Sequence, residues 1–168
     1  RRHPTMARDS VLRPALVIML AMSGCAAAPR PAMTPPVAQH PVIHLRRSDV
    51  MQREPDSAHA SARVWTMQKS AESRTNLVEM RGKLSYHVHP EAEHTLLVLK
   101  GRVCAWAGTE ALVLEEGDYI SIPRGLPHKY ETLTETALLL SFDAPAYDPA
   151  KTVRLSEEGV HFAPCPRD

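Results

Sequence analysis

Four histidines, His87, His89, His94 and His128, are the residues of this 168-residue chain whose type and spacing could do chemistry. Neutral imidazole is the commonest metal-binding side chain, and three or four of them around one point suit a divalent Zn, Fe, Mn, Cu or Ni ion. In His87-Val88-His89 the period of two along a strand sends both imidazoles to one face. His94 begins the next run five residues on, and a tight turn around Pro90-Glu91-Ala92 would bring it back beside the pair. His128 opens a further run after the turn Pro123-Arg124-Gly125-Leu126-Pro127. Without a metal, such a cluster would crowd polar rings into a core with little to hydrogen-bond them.

The elements that must position these rings read as short strands. From Arg63 the chain carries runs of four to eight residues with β-branched and aromatic content, broken by Gly, Pro and acidic turns. Candidate strands are 63–68, 75–81, 84–88, 95–100, 103–107, 111–115, 119–122, 128–133 and 137–142, with no helical stripe of useful length among them. Turn chemistry of the right kind separates them: Lys100-Gly101, Ala107-Gly108-Thr109, Glu116-Gly117-Asp118 and Pro123-Arg124-Gly125. Many short strands at close spacing indicate an all-β sandwich or barrel.

On these residues the chain resembles the cupin superfamily. Gly82, His87, His89, His94 and Gly101 are similar to the first cupin motif, Gly-x5-His-x-His-x(3,4)-Glu-x6-Gly, with four residues rather than five after the first Gly. Gly117, Pro123, Gly125 and His128 are similar to the second, Gly-x5-Pro-x-Gly-x2-His-x3-Asn, at full spacing. The resemblance covers residues 63–142 and implies a double-stranded β-helix, a jelly-roll-like barrel with one metal in its mouth. Two positions depart from the pattern. His94 stands where the motif has Glu, with Glu93 one place earlier, and Thr132 stands where the second motif ends in Asn. His94 as a fourth ligand resembles the cupins with four histidine ligands. Glu93 is the alternative ligand in a register shifted by one, which would turn His94 outward. A barrel that has lost its metal and keeps the histidines as pocket-lining groups is the plainer alternative.

Four neutral ligands would leave the +2 charge of a metal uncompensated, favouring an anionic or enolisable oxygen ligand. Tyr130 and Thr132 share the face of His128 and are candidate pocket residues, with core filling as the simpler role. Glu91 and Glu93 fall in a turn, so no general base is placed, and no Ser/His/Asp set, phosphate loop or dinucleotide fingerprint occurs. The expected function is a metal-dependent enzyme of oxygenase or isomerase type on a small oxygen-containing substrate. A non-catalytic periplasmic module that binds a metal or small ligand, or a barrel whose metal only cross-links it, are the alternatives. The fold hosts all of these.

The remaining sequence concerns delivery. Met6 is read as the natural start. Arg8 and Arg13, then the apolar run from Ala15 to Met22, then Ser23-Gly24 before Cys25, form a secretory signal peptide over residues 1–24. That run is shorter than the roughly 20 residues needed to span a bilayer. Met22-Ser23-Gly24-Cys25 resembles the lipobox of bacterial lipoproteins, which implies lipidation of Cys25; a cut near residues 26–28 of an ordinary signal peptide is the alternative. Ala26 resembles what outer-membrane lipoproteins carry. Residues 25–60 read as a Pro/Ala-rich linker, 61–145 as the barrel and 146–168 as a C-terminal tail, with His40, His44, His59 and His161 taken as solvated. Without residues 1–24 the chain carries 16 basic against 18 acidic residues, no footprint for nucleic acid. The implied partners are a small molecule such as an anion, a membrane through the anchor at Cys25, and a second copy of the chain, since cupins commonly pair through edge strands. Cys104 reads as a small buried hydrophobe within a strand, with a disulfide to Cys165 as the alternative in an exported protein. Replacing Cys25 by Ser is expected to release the protein from the membrane fraction or leave its precursor uncleaved; recovery of the wild type as a soluble protein cut after Ala27 would contradict lipidation.

Overall fold

The computed structural model describes residues 42–166, so the signal peptide, Cys25, His40 and the linker up to residue 41 lie outside the described residues. Two antiparallel sheets face each other. The first orders its strands β1-β2-β3-β10-β5-β8: β1 Ser57–His59, β2 Ala62–Lys69, β3 Arg74–Met80, β10 Ala137–Ala144, β5 Glu93–Lys100 and β8 Tyr119–Ile122. The second orders β11-β4-β9-β6-β7: β11 Val153–Arg154, β4 Lys83–Val88, β9 His128–Thr132, β6 Val103–Ala107 and β7 Glu110–Leu114. The architecture is the expected all-β barrel, and each of the nine candidate strands forms one.

Strand alternation divides the interior into two zones. Met80, Leu96, Val98, Val103, Ala105, Leu114, Ile122, Ala137 and Leu139 make an apolar floor, with Tyr130 among them. A fully buried aliphatic side chain in such a floor contributes about 1.5–3 kcal/mol. Further along the same inward rows the residues turn polar: Asn76 precedes Val78 and Met80 on β3, Ser141 and Asp143 follow Leu139 on β10, and His94 precedes Leu96 on β5. The floor holds the sheets together, and the polar zone forms the mouth.

Two segments beyond the nine strands join the barrel. Helix α1, Arg47–Gln52, sets Val50 over Trp65, Leu77 and Leu138 on the outer face of the first sheet, and Trp65 Nε1 donates to Arg53 O at 2.9 Å. β1 then pairs with β2. At the other end β11 pairs with β4, and the tail crosses the outer face of the second sheet. Trp106 Nε1 donates to Ala163 O at 2.8 Å, Phe162 packs edge-on to Tyr86 at 5.1 Å, and Cys104 is disulfide-bonded to Cys165. Cys104 is therefore not merely a small buried hydrophobe. It faces outward, its inward neighbours Val103 and Ala105 filling the floor, and it is buried because the tail covers it. No helix among the described residues is long and apolar enough to cross a membrane.

The disulfide closes a sequence separation of 61 residues. A cross-link over a loop of that length restricts the unfolded chain by about 4 kcal/mol, and losing a native bridge costs roughly 2–5 kcal/mol. Cys165→Ser should lower the melting temperature by about 10 °C or more. A reductant should bring the wild type down to the same value and leave the variant unmoved, as followed by circular dichroism.

Candidate metal centre

Each histidine reaches the mouth for a local reason. β4 and β9 pair Leu84 with Tyr130 and His87 with His128, with a register shift between. This bulge lets Leu84 pack on the floor, turns Tyr86 outward to Phe162, and returns His87 to the inner face, from which period-two alternation carries His89 inward. His128 begins β9 after a turn in which Gly125 adopts φ +76°, and Gly125 N donates to His89 O at 3.1 Å. The turn that delivers one histidine is thus tied to the backbone of another. The first motif's closing glycine has a steric reason: a Cβ at Gly101 would meet Thr136 O at 2.6 Å, and its φ is +84°.

Nitrogen atoms of His87, His89 and His128 lie within 4.8 Å of one another. His94 stands against this group, its ring centroid 4.9 Å from His89 and 5.4 Å from His128, but it is not one of the three donors inside that limit. Glu93 is exposed on the opposite face of β5, where its carboxylate accepts from Ser121 Oγ at 2.6 Å. Of the two alternatives at this position, His94 is the one beside the cluster.

Hydrogen bonds decide which nitrogen each ring offers. A backbone carbonyl can only accept, so His87 Nδ1 donates to Ser85 O at 2.6 Å and His128 Nδ1 donates to Leu126 O at 2.9 Å. Both rings therefore present Nε2 as a lone pair when neutral. Neutral is how they are held. Burial, with the neighbouring imidazoles adding to it, lowers the pKa of His89 to about 2 and that of His128 to about 3, and burial lowers that of His87. His128 Nε2 and His89 Nδ1 are buried without a hydrogen-bond partner. Buried, unprotonated and unpartnered imidazole nitrogens converging on one point are what a divalent metal requires of its ligands, so these residues fit one.

A cavity of about 120 Å³ adjoins the cluster, and Asn76, His94, Tyr130, Ser141, Asp143 and Tyr147 supply its polar lining. Tyr130 Oη is buried without a hydrogen-bond partner, and burial, then the charge of Asp143, pushes its phenol pKa well up. Thr132 has another role: its Oγ1 accepts from Gly82 N at 2.8 Å and closes the far end of the β4–β9 pair. His59, read as solvated, is exposed but stands at the cavity rim. Sequence reasoning missed Asp143, whose Oδ1 lies 2.5 Å from His94 Nδ1, and Tyr147, whose ring lies 4.3 Å from that of His89. Asp143 had a signal, a Ser and an Asp on the inward row of an otherwise apolar strand. Tyr147, in a loop after β10, had none.

Comparison with known proteins bears on this arrangement. Residues 77–142 match the family model described as a cupin domain. The barrel has the cupin fold. Over 69 residues it is 38% identical to an uncharacterized protein of Aquifex aeolicus, covering 41% of this chain and 57% of that one. Over 56 residues it is 36% identical to quercetin 2,3-dioxygenase of Bacillus subtilis, covering 33% of this chain and 17% of that enzyme. The chain thus spans less than two thirds of either relative. Among solved structures, KdgF from Halomonas sp. superposes with a TM-score of 0.56 at 17% identity, covering 60% of this chain and 93% of that one. The superposition shows a shared fold. In metal titrations His94→Ala should weaken binding by at least an order of magnitude more than Glu93→Ala; the reverse order would put Glu93 in the ligand position.

Proposed function

We propose that this is an exported, lipid-anchored cupin that holds one divalent transition metal through His87, His89, His94 and His128 and acts as a metal-dependent enzyme, of oxygenase or isomerase type, on a small oxygen-containing molecule. The observation that carries this is the convergence of nitrogens from His87, His89 and His128, with His89 Nδ1 and His128 Nε2 buried without hydrogen-bond partners. A bound divalent metal supplies a Lewis acid that polarises a ligand oxygen.

The chain's own groups complete a ligand site. Tyr130, its phenol kept protonated by burial, can donate a hydrogen bond from Oη into the cavity. The cavity of about 120 Å³ is partly open and leaves room for a small molecule beside the cluster. Partial identity to quercetin 2,3-dioxygenase supports the oxygenase class. Support for export comes from the signal-peptide pattern together with the Cys104–Cys165 disulfide, a bond that persists in oxidising compartments. One observation favours the second reading, a non-catalytic module binding a metal or small ligand: both carboxylate oxygens of Asp143 are already engaged, by His94 and by Asn76.

Metal analysis of the mature protein should find about one equivalent of a transition metal, and chelation should lower the melting temperature reversibly, because a ligand of the folded state alone stabilises it. Less than about a tenth of an equivalent, with melting unchanged after attempted reloading, would overturn the metal reading. On the loaded protein, calorimetry with simple carboxylates and diketones should show binding that Tyr130→Phe weakens about tenfold, the loss expected for one buried hydrogen bond. No binding to either protein would overturn the ligand site and leave the metal a structural role.

A further inference from the structure

We propose that Asp143 is a positioning residue that supplies the metal centre, through His94, with the negative charge that a carboxylate ligand at position 94 would have carried. The inference rests on the metal reading above. It also corrects the expectation that four histidines leave the cation uncompensated.

Asp143 is 0% exposed, and it is the cross-strand partner of His94 in the pairing of β10 with β5. Its Oδ1 lies 2.5 Å from His94 Nδ1. Its Oδ2 faces Asn76 Nδ2 at 3.4 Å. The orientation of that amide is settled by Arg74, which can only donate: Arg74 Nε reaches Asn76 Oδ1 at 2.9 Å, so the amide nitrogen must face Asp143 and Ser141 Oγ, the latter at 3.0 Å. Both oxygens of Asp143 are thus approached by donors, as an ionised carboxylate requires. An ionised Asp143 makes His94 Nδ1 the protonated nitrogen and leaves Nε2 as the lone pair, the same tautomer that the carbonyls of Ser85 and Leu126 impose on His87 and His128. There is one difference. A carbonyl orients its ring without adding charge, whereas a carboxylate also makes the imidazole a stronger donor and places a full negative charge one ring away from the cation.

The substitution of Glu by His in the first motif is then a displacement of charge rather than a loss. The carboxylate has moved from the ligand position on β5 to the facing position on β10, with an imidazole between. A centre built this way keeps a histidine ligand while an adjacent carboxylate offsets part of the metal's charge, and it resists incoming anions more than a bare four-histidine centre would.

Cobalt(II) loading of the mature protein separates the possibilities. Asp143→Asn should weaken cobalt binding about 10- to 100-fold in chelator competition. At saturating cobalt, acetate followed by visible absorbance should bind this variant more tightly than the wild type, a change that loss of packing would not produce. Both differences should vanish when His94→Gln is already present. In nitrogen-15 spectra of the zinc-loaded wild type, which needs no variant to fold, His94 should carry its proton on Nδ1 and coordinate through Nε2. Equal cobalt and acetate affinities in wild type and Asp143→Asn, or coordination of zinc through His94 Nδ1, would overturn the role of Asp143 alone. A wild type that takes up neither metal would overturn the metal reading and this inference with it.

Discussion

Gathering four imidazoles, two of them buried, in one half of a small barrel is the constraint on which the rest of the structure turns. An imidazole taken out of water is tolerated at little cost only if one nitrogen keeps its proton in a hydrogen bond and the other finds a use for its lone pair. Here the first condition is met three times by groups within reach of the backbone: Ser85 O for His87, Leu126 O for His128 and the Asp143 carboxylate for His94. The second condition cannot be met by the apolar floor below, which consists of residues such as Leu96, Val98 and Leu139. A metal ion in the mouth would meet it. The barrel is built to hold lone pairs toward a point, and its two zones follow from keeping that point dry from beneath.

Rigidity at the mouth comes from features that seem peripheral. The bulge in β4 changes which face the chain presents between Leu84 and His87, and the contact of Gly125 N with His89 O couples the two motifs across the opening. Behind β6 and β9 the tail covers the second sheet. Lys129 Nζ lies 3.4 Å from the centroid of the Phe162 ring, one residue along β9 from the ligand position His128, and the disulfide holds the same strap to β6. The outward faces of β4 and β9 are thereby packed by the tail, so the rings of His87 and His128 are braced from behind.

Much of this was legible because strand alternation is a simple rule. His87 and His89 had to share a face, and the run of short strands with glycine turns pointed to a barrel. The choice between Glu93 and His94 was harder, because parity along β5 depends on where the strand begins, and a slip of one residue exchanges the two. Only inter-strand register resolves it, by placing His94 opposite Ile122 and Asp143. The same limit hid Asp143 itself. Its position on an inward row could be read from Leu139 and Ser141, but that this row lies beside β5 is a fact of topology between segments some fifty residues apart, on which local pattern is silent. Thr132 erred in the other direction: it shares its row with His128 and Tyr130, yet the row runs beyond the mouth to the end of the strand, where its hydroxyl closes a turn at Gly82.

A protein that keeps histidine where a carboxylate is usual still has to balance the charge of whatever it binds, and the low dielectric of a barrel makes that balance local. A carboxylate in direct contact with a divalent cation lowers the net charge of the centre by one and occupies a coordination position as an anion. The same carboxylate behind an imidazole is fixed by strand pairing and acts only through the ring's polarisation and the field. A bound cation would then keep more of its Lewis acidity toward a ligand arriving from the mouth, while Asp143 would offset part of its charge. Tyr130 adds a neutral donor on the same side as Asp143, facing the cavity that both line. An oxygen ligand that is neutral on entry and gains negative character at the centre meets a hydrogen-bond donor there and is not repelled on the way in. A ligand already carrying full charge would feel the field of Asp143. Such a mouth would favour ligands whose charge develops only at the centre, a property that suits the enolisable or oxidisable small molecules of the proposed chemistry.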